Sequence, residues 1–502
     1  MVKLMSFLSR RGGGVVLKLI PLNLGIILLI IDGTLMVGQT NSSHSLPSVY
    51  FTQDVDTTYA SSGINAISLH SIVFDTLAAY ISRAVLSIDI AQYEYETWVG
   101  DPIYSAINLA FARGVKIRFL QDGGRTSGNS GVNLLDTAIP RFSSPLPGPA
   151  PCGGFYNIMH NKFLIIDEDH PDSNHCFVWT GSLDWNQNMG MGDYNNVIVV
   201  QSKQLARVYL QEFNMMWGDS IHGGGPNQAN AKFGPCKDST RSHEFLIKGS
   251  KVELYFSPTD SLNNHILNLL SEANSDLYCG MFTFTLNNDA NEIVQMRNAG
   301  AKTFVILDHY GSGSYAPYNS IFPSALATEF TGFVSPNFIY HNKYLVVNPA
   351  SLCEDPRVLT GSHNWTFSAN TKNDENTLII HNDTIANIYY QAFVNDFYVI
   401  SGNHPMSVGN SCTTTIPSTN RIVAGGLAFP NPSCGSFSLK MTEMVKELTL
   451  RDLGGKLLYY KATFYPLNEK VNVCFLSQGM YLLEGQTERG FFREKICIRS
   501  AR

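Results

Sequence analysis

The sequence predicts an α/β protein of two pseudo-symmetric lobes, followed by a small C-terminal all-β sandwich module. Three observations predict it. The segment His160-Asn161-Lys162-Phe163-Leu164-Ile165-Ile166-Asp167 returns as His341-Asn342-Lys343-Tyr344-Leu345-Val346-Val347-Asn348. Each copy is trailed by Gly-Ser and then a Trp, Gly181-Ser182 with Trp185 and Gly361-Ser362 with Trp365. Around both copies, strand-like and helix-like segments alternate in one order, the pattern of a sheet covered by helices. Agreement in chemistry and in spacing means one structural unit used twice.

The first unit opens at Val49-Tyr50-Phe51. Residues Ile64 to Ser82 read as helical, and Val85 to Ile90 as an alternating strand. Pro102 opens a helix with an apolar face of Ile103, Ile107 and Ala110, and Arg113-Gly114 ends it. The β-rich run Val115 to Leu120 leads into Asp122. The second unit repeats this order. It has Leu254-Tyr255-Phe256, a helix through Ile266 to Ala273, a strand around Leu277 to Phe284, a helix ending at Ala299-Gly300, and Thr303 to Asp308. Gly114 matches Gly300 and Asp122 matches Asp308, so the repeat extends well beyond the motif. Between Asp122 and Tyr156 the first unit carries a Gly/Ser/Pro-rich stretch, residues 123–154, which is either a lid or a plain surface insertion.

These landmarks divide the chain into a signal peptide (1–40), a first lobe (47–217), a bridge (218–247), a second lobe (248–403), a linker (404–420) and the β module (421–502). In the first segment Lys3, Arg10 and Arg11 precede an uncharged apolar run from Leu19 to Ile31. That run is too short to span a membrane and suits the core of a secretory signal, with cleavage around Gly38 to Ser43. Hydrophobic residues at 44% and charged residues at 15% are those of a globular protein. A net charge of −6 excludes a global basic field that would gather polyanions. Nine cysteines fit an exported protein, and Cys152 and Cys176 flank the first His-Lys segment in position to clasp it. No cysteine pair has zinc-site spacing, so neither a structural metal nor a cofactor is expected.

A His and a Lys two positions apart share one face of a strand, because strand side chains alternate. Beside a Ser, that pair suits phosphate chemistry. Lys supplies a point charge for a phosphoryl oxygen, Ser a hydrogen bond, and His either attacks phosphorus or handles protons. Two such sets face to face give two lysines to neutralise a phosphodiester, one histidine to attack and one to protonate the leaving oxygen. A single H-x-K arises often by chance; two with matching Gly-Ser-x-x-Trp trailers do not. Trp185 and Trp365 read as packing. Tyr93, Tyr95, Trp98, Phe282 and Phe284 follow the first strand of each lobe and form either an apolar lip or packing under loops.

With these residues assembled, the chain resembles the phospholipase D superfamily, whose hallmark is a duplicated H-x-K-x4-D motif. The resemblance runs from Val49 to Phe397. It implies an α/β/α/β/α arrangement of two lobes, a single site between them, and a covalent phosphohistidine resolved by water or an alcohol. In that family each histidine is backed by a polar group from the opposite lobe, which implies Glu375 behind His160 and Asn195 behind His341. A carboxylate raises an imidazole's basicity where an amide only orients it. His160, with Lys162, is therefore the expected nucleophile; His341, with Lys343, is the expected acid and later base. Asp167 and Asn348 are expected to support the motif, Asn348 standing where the family has Asp. Ser182, Ser362 and Asn364 are expected to touch phosphate. At the place of Asn364 the first copy has Asp184, whose charge repels a phosphodiester unless it is paired or turned away.

The last segment has a resemblance of its own. Phe429-Pro430-Asn431-Pro432, the Asp452-Leu453-Gly454-Gly455-Lys456 turn and Gly479-Met480-Tyr481 are similar to the type A C-terminal sorting domain of type IX secretion. That implies the type IX machinery as a partner and a secreted or cell-surface location. The sequence thus predicts a secreted, monomeric phosphodiesterase acting on phospholipid head groups at a membrane surface. A metal-independent endonuclease acting on DNA or RNA is the alternative, and a catalytically silent surface-binding protein the third reading.

Overall fold

The computed structural model describes residues 46–405 apart from 62, 127, 240–241, 274 and 350–354. It also describes two strands ahead of them, and the strands with a few adjoining residues of 420–498. The predicted signal sequence falls largely outside the described residues. Its last part forms an antiparallel pair, β1 (Ile26–Ile31) and β2 (Thr34–Gln39). The chain divides into two compact units, Met1–Cys412 and Thr413–Arg502.

The first lobe runs β3 (Ser48–Phe51), β4 (Ile67–Ser68), α1 (Val73–Ser82), β5 (Ser87–Gln92), α2 (Ile103–Ala112), β6 (Lys116–Gln121) and β7 (Arg141–Ser143). It continues with β8 (Gly148–Pro149), β9 (Phe155–Tyr156), β10 (Lys162–Ile166), β11 (Phe177–Gly181), α3 (Gln187–Met191), β12 (Asn196–Gln201) and α4 (Lys203–Trp217). The second lobe has β13 (Glu244–Ile247), β14 (Ser250–Ser257), α5 (Leu262–Ser271), β15 (Asp276–Met281), α6 (Asn287–Asn298) and β16 (Lys302–Asp308). After it come α7 (His309–Ser312), α8 (Phe322–Leu326), β17 (Phe330–Phe333), β18 (Lys343–Val347), β19 (Arg357–Gly361), α9 (Phe367–Thr371), β20 (Glu375–His381) and α10 (Asp383–Ser401).

Seven strands of each sheet copy one topology, and the eighth differs, β4 lying parallel to β3 but β13 antiparallel to β14. The sheet orders are β4-β3-β12-β11-β10-β5-β6-β7 and β13-β14-β20-β19-β18-β15-β16-β17. In both, the His-Lys strand (β10, β18) lies antiparallel between two neighbours near the middle of the sheet. Every residue of β5, β10, β15 and β18 is buried, as in a sheet covered on both faces. One apolar cluster packs α1 and α2 on the outer face of the first sheet, and another packs α5 and α6 on the second. A third joins the lobes. Phe163 and Ile165 of β10 and Tyr344 and Val346 of β18 share it with Tyr209 and Phe213 of α4 and Tyr389 and Phe393 of α10. Two helices sandwiched between two sheets complete the α/β/α/β/α layering.

Three expectations need correction. The first helix starts at Val73, nine residues later than expected, because Ile67–Ser68 pairs with β3 as an edge strand and a 3₁₀ turn follows at His70–Ile72. The stretch 123–154 is not a bare insertion, since its middle forms β7, the edge strand beside β6. Cys152 bonds to Cys236 in the bridge, not to Cys176. Cys176 is a buried free thiol that donates to the Asp167 carbonyl.

Among its described residues the second unit is all-β. A five-stranded sheet has Gly479–Gln486 at its centre, between Glu447–Asp452 and Gly490–Ile498. A three-stranded sheet is built around Ser436–Leu439. Phe437, Leu448, Leu450, Val471, Leu483 and Ile496 form its core. The landmarks at 430–435 and 453–456 lie outside the described residues.

Candidate active site

Each histidine enters the space between the lobes just ahead of a central strand, and a carboxylate fixes the entry. Asp122, after β6, accepts from Met159 N at 2.8 Å and Gly124 N at 2.9 Å. Asp308, closing β16, accepts from Tyr340 N at 2.7 Å and Gly311 N at 2.9 Å. Backbone bonds then stitch each segment to the other lobe: His160 N donates to Asp374 O at 2.9 Å, and Tyr194 N to Ile339 O at 3.0 Å.

The side chains repeat this exchange. His160 Nδ1 lies 2.7 Å from Glu375 Oε2, and His341 Nδ1 lies 3.0 Å from Asn195 Oδ1. Because Asn195 Nδ2 donates to the Met189 carbonyl at 3.1 Å, its Oδ1 is the atom left to accept from the imidazole. Both rings therefore carry their proton on Nδ1 and turn a lone pair at Nε2 toward the cleft. Lys162 Nζ is anchored on the His160 carbonyl at 3.2 Å and sits over the Tyr93 ring; Lys343 Nζ is on the His341 carbonyl at 2.8 Å and over Phe282. Tyr93 and Phe282 also meet the imidazoles of His160 and His341 edge-on. Of the five aromatics singled out in the sequence, these two touch the site. Tyr95 and Phe284 are buried against Trp185 and Trp365, and Trp98 packs on Phe74.

Ser182 and Ser362 are fully buried, and their hydroxyls are hydrogen-bonded within their own lobes. Ser182 Oγ donates to Asn195 Oδ1 at 2.9 Å, and Ser362 Oγ to Glu375 Oε2 at 2.7 Å. Each also accepts a backbone N–H, from Asn196 and Asn376. The hydroxyls expected to touch phosphate are taken up in holding the group behind the other lobe's histidine. The glycines before them are required by close approach: a Cβ at Gly181 or Gly361 would stand 2.2 Å from the carbonyl of Asn196 or Asn376. Asn364 is half-buried, its Oδ1 accepting from Thr283 N at 3.3 Å. Asp184, at the matching place, is paired: its Oδ1 lies 3.3 Å from Lys162 Nζ, and its Oδ2 lies 3.9 Å from His341 Nε2.

Asp167 and Asn348 lie away from the cleft, at the far ends of β10 and β18, both left-handed at φ 54° and 55°. Asp and Asn tolerate that conformation better than other side chains. The Asp167 carboxylate accepts from the N–H groups of Val85, Leu86 and Ser87, and Asn348 Oδ1 accepts from those of Ser275 and Asp276. An amide oxygen serves this purpose as a carboxylate does, which accounts for Asn in the second copy.

Burial and the neighbouring lysines push both histidines well below the ordinary imidazole range, Lys162 first among the charges at His160 and Lys343 at His341. Glu375 does not outweigh them, so the cationic form of His160 expected from its carboxylate partner is disfavoured. Lys343 is likewise pushed down by burial and by Lys162. Burial raises Glu375, and His363 packs behind it, itself lowered to about 4 by burial. Sequence reading passed over Asp374, His363 and Asn373, which donates to Glu375 Oε1 at 3.0 Å. None of them repeats between the copies.

A family model described as cardiolipin synthase, PLD-like domain, matches residues 77–217 and 266–397, more than half of the chain. A second, described as secretion system C-terminal sorting domain, matches residues 427–499. The chain is 30% identical over 152 residues to a mitochondrial cardiolipin hydrolase of Drosophila melanogaster, covering 27% of this chain and 55% of that protein. It is 25% identical over 146 residues to a phospholipase D of Rickettsia felis, covering 29% of this chain and 69% of that one. It thus spans little more than half the length of the first of these relatives. Among solved structures, phosphatidylserine synthase of Haemophilus influenzae aligns over 69% of this chain and 87% of its own, at 14% identity and a TM-score of 0.48.

Proposed function

Because this chain belongs to the family of cardiolipin synthase, PLD-like domains, we propose that it is an exported phosphodiesterase that hydrolyses phospholipid head-group phosphodiesters through a phosphohistidine at His160. One observation carries the reading: two His-Lys pairs share one buried cleft, each imidazole held through Nδ1 by the opposite lobe. A diester phosphate between Lys162 and Lys343 receives Nε2 of His160 at phosphorus. The bond to the leaving oxygen breaks, and His341, whose Nε2 takes up a proton once the bound phosphate anion offsets Lys343 and Lys162, gives that oxygen its proton. Neutral His341 then takes a proton from water as the water oxygen attacks phosphorus. The P–N bond breaks, and both histidines return to their starting states. A neutral His160 with its lone pair at Nε2 is the form that attack requires.

Phospholipid is supported by the relatives named as cardiolipin hydrolase and phospholipase D, and by a net charge of −6 that does not favour polyanions. The sorting domain supports export by type IX secretion to the cell surface or beyond.

The test is incubation of the purified chain with phosphatidylcholine vesicles and with plasmid DNA, both in EDTA. Choline release is the expected result; DNA nicking without it makes the chain a nuclease, and inertness toward both ends the hydrolase reading. His160→Asn is expected to abolish turnover and the phosphoenzyme together. His341→Asn is expected to lose about 10²–10⁴-fold with poor leaving groups, the usual worth of a general acid. Phosphate found by mass spectrometry on His341 and not on His160 would reverse the assignment.

A further inference from the structure

The two halves of the cleft differ in charge at one matched place. Two residues past its serine the second lobe has the neutral amide of Asn364, and the first has the carboxylate of Asp184. Asp184 is 2% exposed and turned inward. Its Oδ1 lies 3.3 Å from Lys162 Nζ and 3.3 Å from Gln92 Nε2, and its Oδ2 lies 3.9 Å from His341 Nε2. It therefore reaches from the first lobe's lysine to the second lobe's histidine, where a phosphoryl group has to lie. Lys162 faces it from β10, and His341 and Lys343 from β18 and its lead-in. Glu94, Tyr93 and Arg125 face it from the first lobe's loops, with Arg125 bonded to both of the others.

We propose that Asp184 is a built-in counter-anion that holds Lys162 until a phosphodiester arrives, then takes up a proton, yields Lys162 to the phosphoryl oxygen and donates its own O–H to the bound anion. The inference rests on the cleft being a phosphodiester site. Only one bond changes: a solvent proton adds to a carboxylate oxygen, so one negative charge enters as another is cancelled. Burial, opposed by Lys162, already holds this carboxyl up at about 6, close enough to neutral pH for a second anion to complete its protonation. Diester binding is then strongest in acid and weakens as pH rises, and the Asp-for-Asn difference sets that dependence.

The test is calorimetric binding of dimethyl phosphate to the full chain and to Asp184→Asn, in buffers of different ionisation enthalpy. The wild type is expected to take up about one proton more per anion than the variant, and its affinity to fall about tenfold more per pH unit above neutrality. The variant's kcat/KM is expected to exceed that of the wild type at about pH 8 and to lose this slope. A purely structural Asp184 would weaken binding at every pH alike. Equal proton counts in the two proteins overturn the proposal, as does a wild-type affinity that does not change between about pH 5.5 and about pH 8, a result that needs no variant. Dimethyl phosphate is neither lipid nor nucleic acid, and its binding is read without turnover. A chain that binds it with proton uptake yet cleaves nothing loses the hydrolase reading and keeps this one; a chain that does not bind it loses both.

Discussion

Asp276 stands where the first lobe has Ser87, at the start of the strand beside the His-Lys strand. It is fully buried, and neither carboxylate oxygen has a hydrogen-bond partner among the described residues. Burial, only partly offset by Lys302, raises it from 3.8 to about 7. A carboxyl raised on folding favours the folded state fully below its unfolded value, and that contribution is lost as pH rises through the folded value. Asp276→Asn is therefore expected to stabilise the chain by on the order of 1–3 kcal/mol above about pH 7, and to give no gain near pH 4. Denaturant unfolding at the two pH values checks it; an equal gain at both clears the carboxylate of blame. At this scale the sequence reveals which residues matter more readily than what they do. His160, Lys162, His341 and Lys343 stand out because they recur at strand period. Asp122 and Asp308 recur as faithfully, yet their bonds to Met159 N and Tyr340 N cross more than thirty residues and exist only after folding. Ser182 and Ser362 mislead for a related reason: spacing places a hydroxyl beside the site without fixing where its rotamer points.

The turns that end β10 and β18 show how one motif position works as part of an element. Asp167 closes its strand by gathering three N–H groups from the segment entering β5, and in doing so registers β5 against β10. Asp167→Ala leaves those donors without the carboxylate and keeps a left-handed φ that Ala tolerates poorly. The expected loss is about 2–3 kcal/mol, read by denaturant unfolding, with Asp167→Asn recovering most of it as Asn348 does in the second lobe. Were Asp167→Asn as damaging as Asp167→Ala, the negative charge and not the acceptor geometry would be the support. Helices and strands at the centre of each repeat were legible because apolar period and the Gly114 and Gly300 stops agree. Edges were not. Ile67–Ser68 and Arg141–Ser143 are two and three residues long, and only their sheet neighbours make them strands.

Between the lobes, the bridge does more than span a gap. Lys237 is fully buried and meets Glu212 of α4 and, at 2.7 Å, Asp374 beside Glu375. Its neighbour Cys236 is bonded to Cys152 across 84 residues of chain. Cys236→Ser is expected to cost about 2–4 kcal/mol and to open residues 123–154 to limited proteolysis, both checked against the oxidised wild type. Unchanged stability would mean that the buried ion cluster alone holds the bridge. The doubled architecture was legible from the repeat and the bridge from its composition, whereas the bridge's anchors were not, because neither Lys237 nor Cys236 has a counterpart in a second copy. Support that crosses from one lobe to the other also limits how the protein can change over generations. Duplicated genes usually leave one copy free to drift. Here a substitution at Glu375 removes the partner of a histidine in the other repeat, and one at Asn195 does the reverse, so under the proposed mechanism neither repeat is a spare.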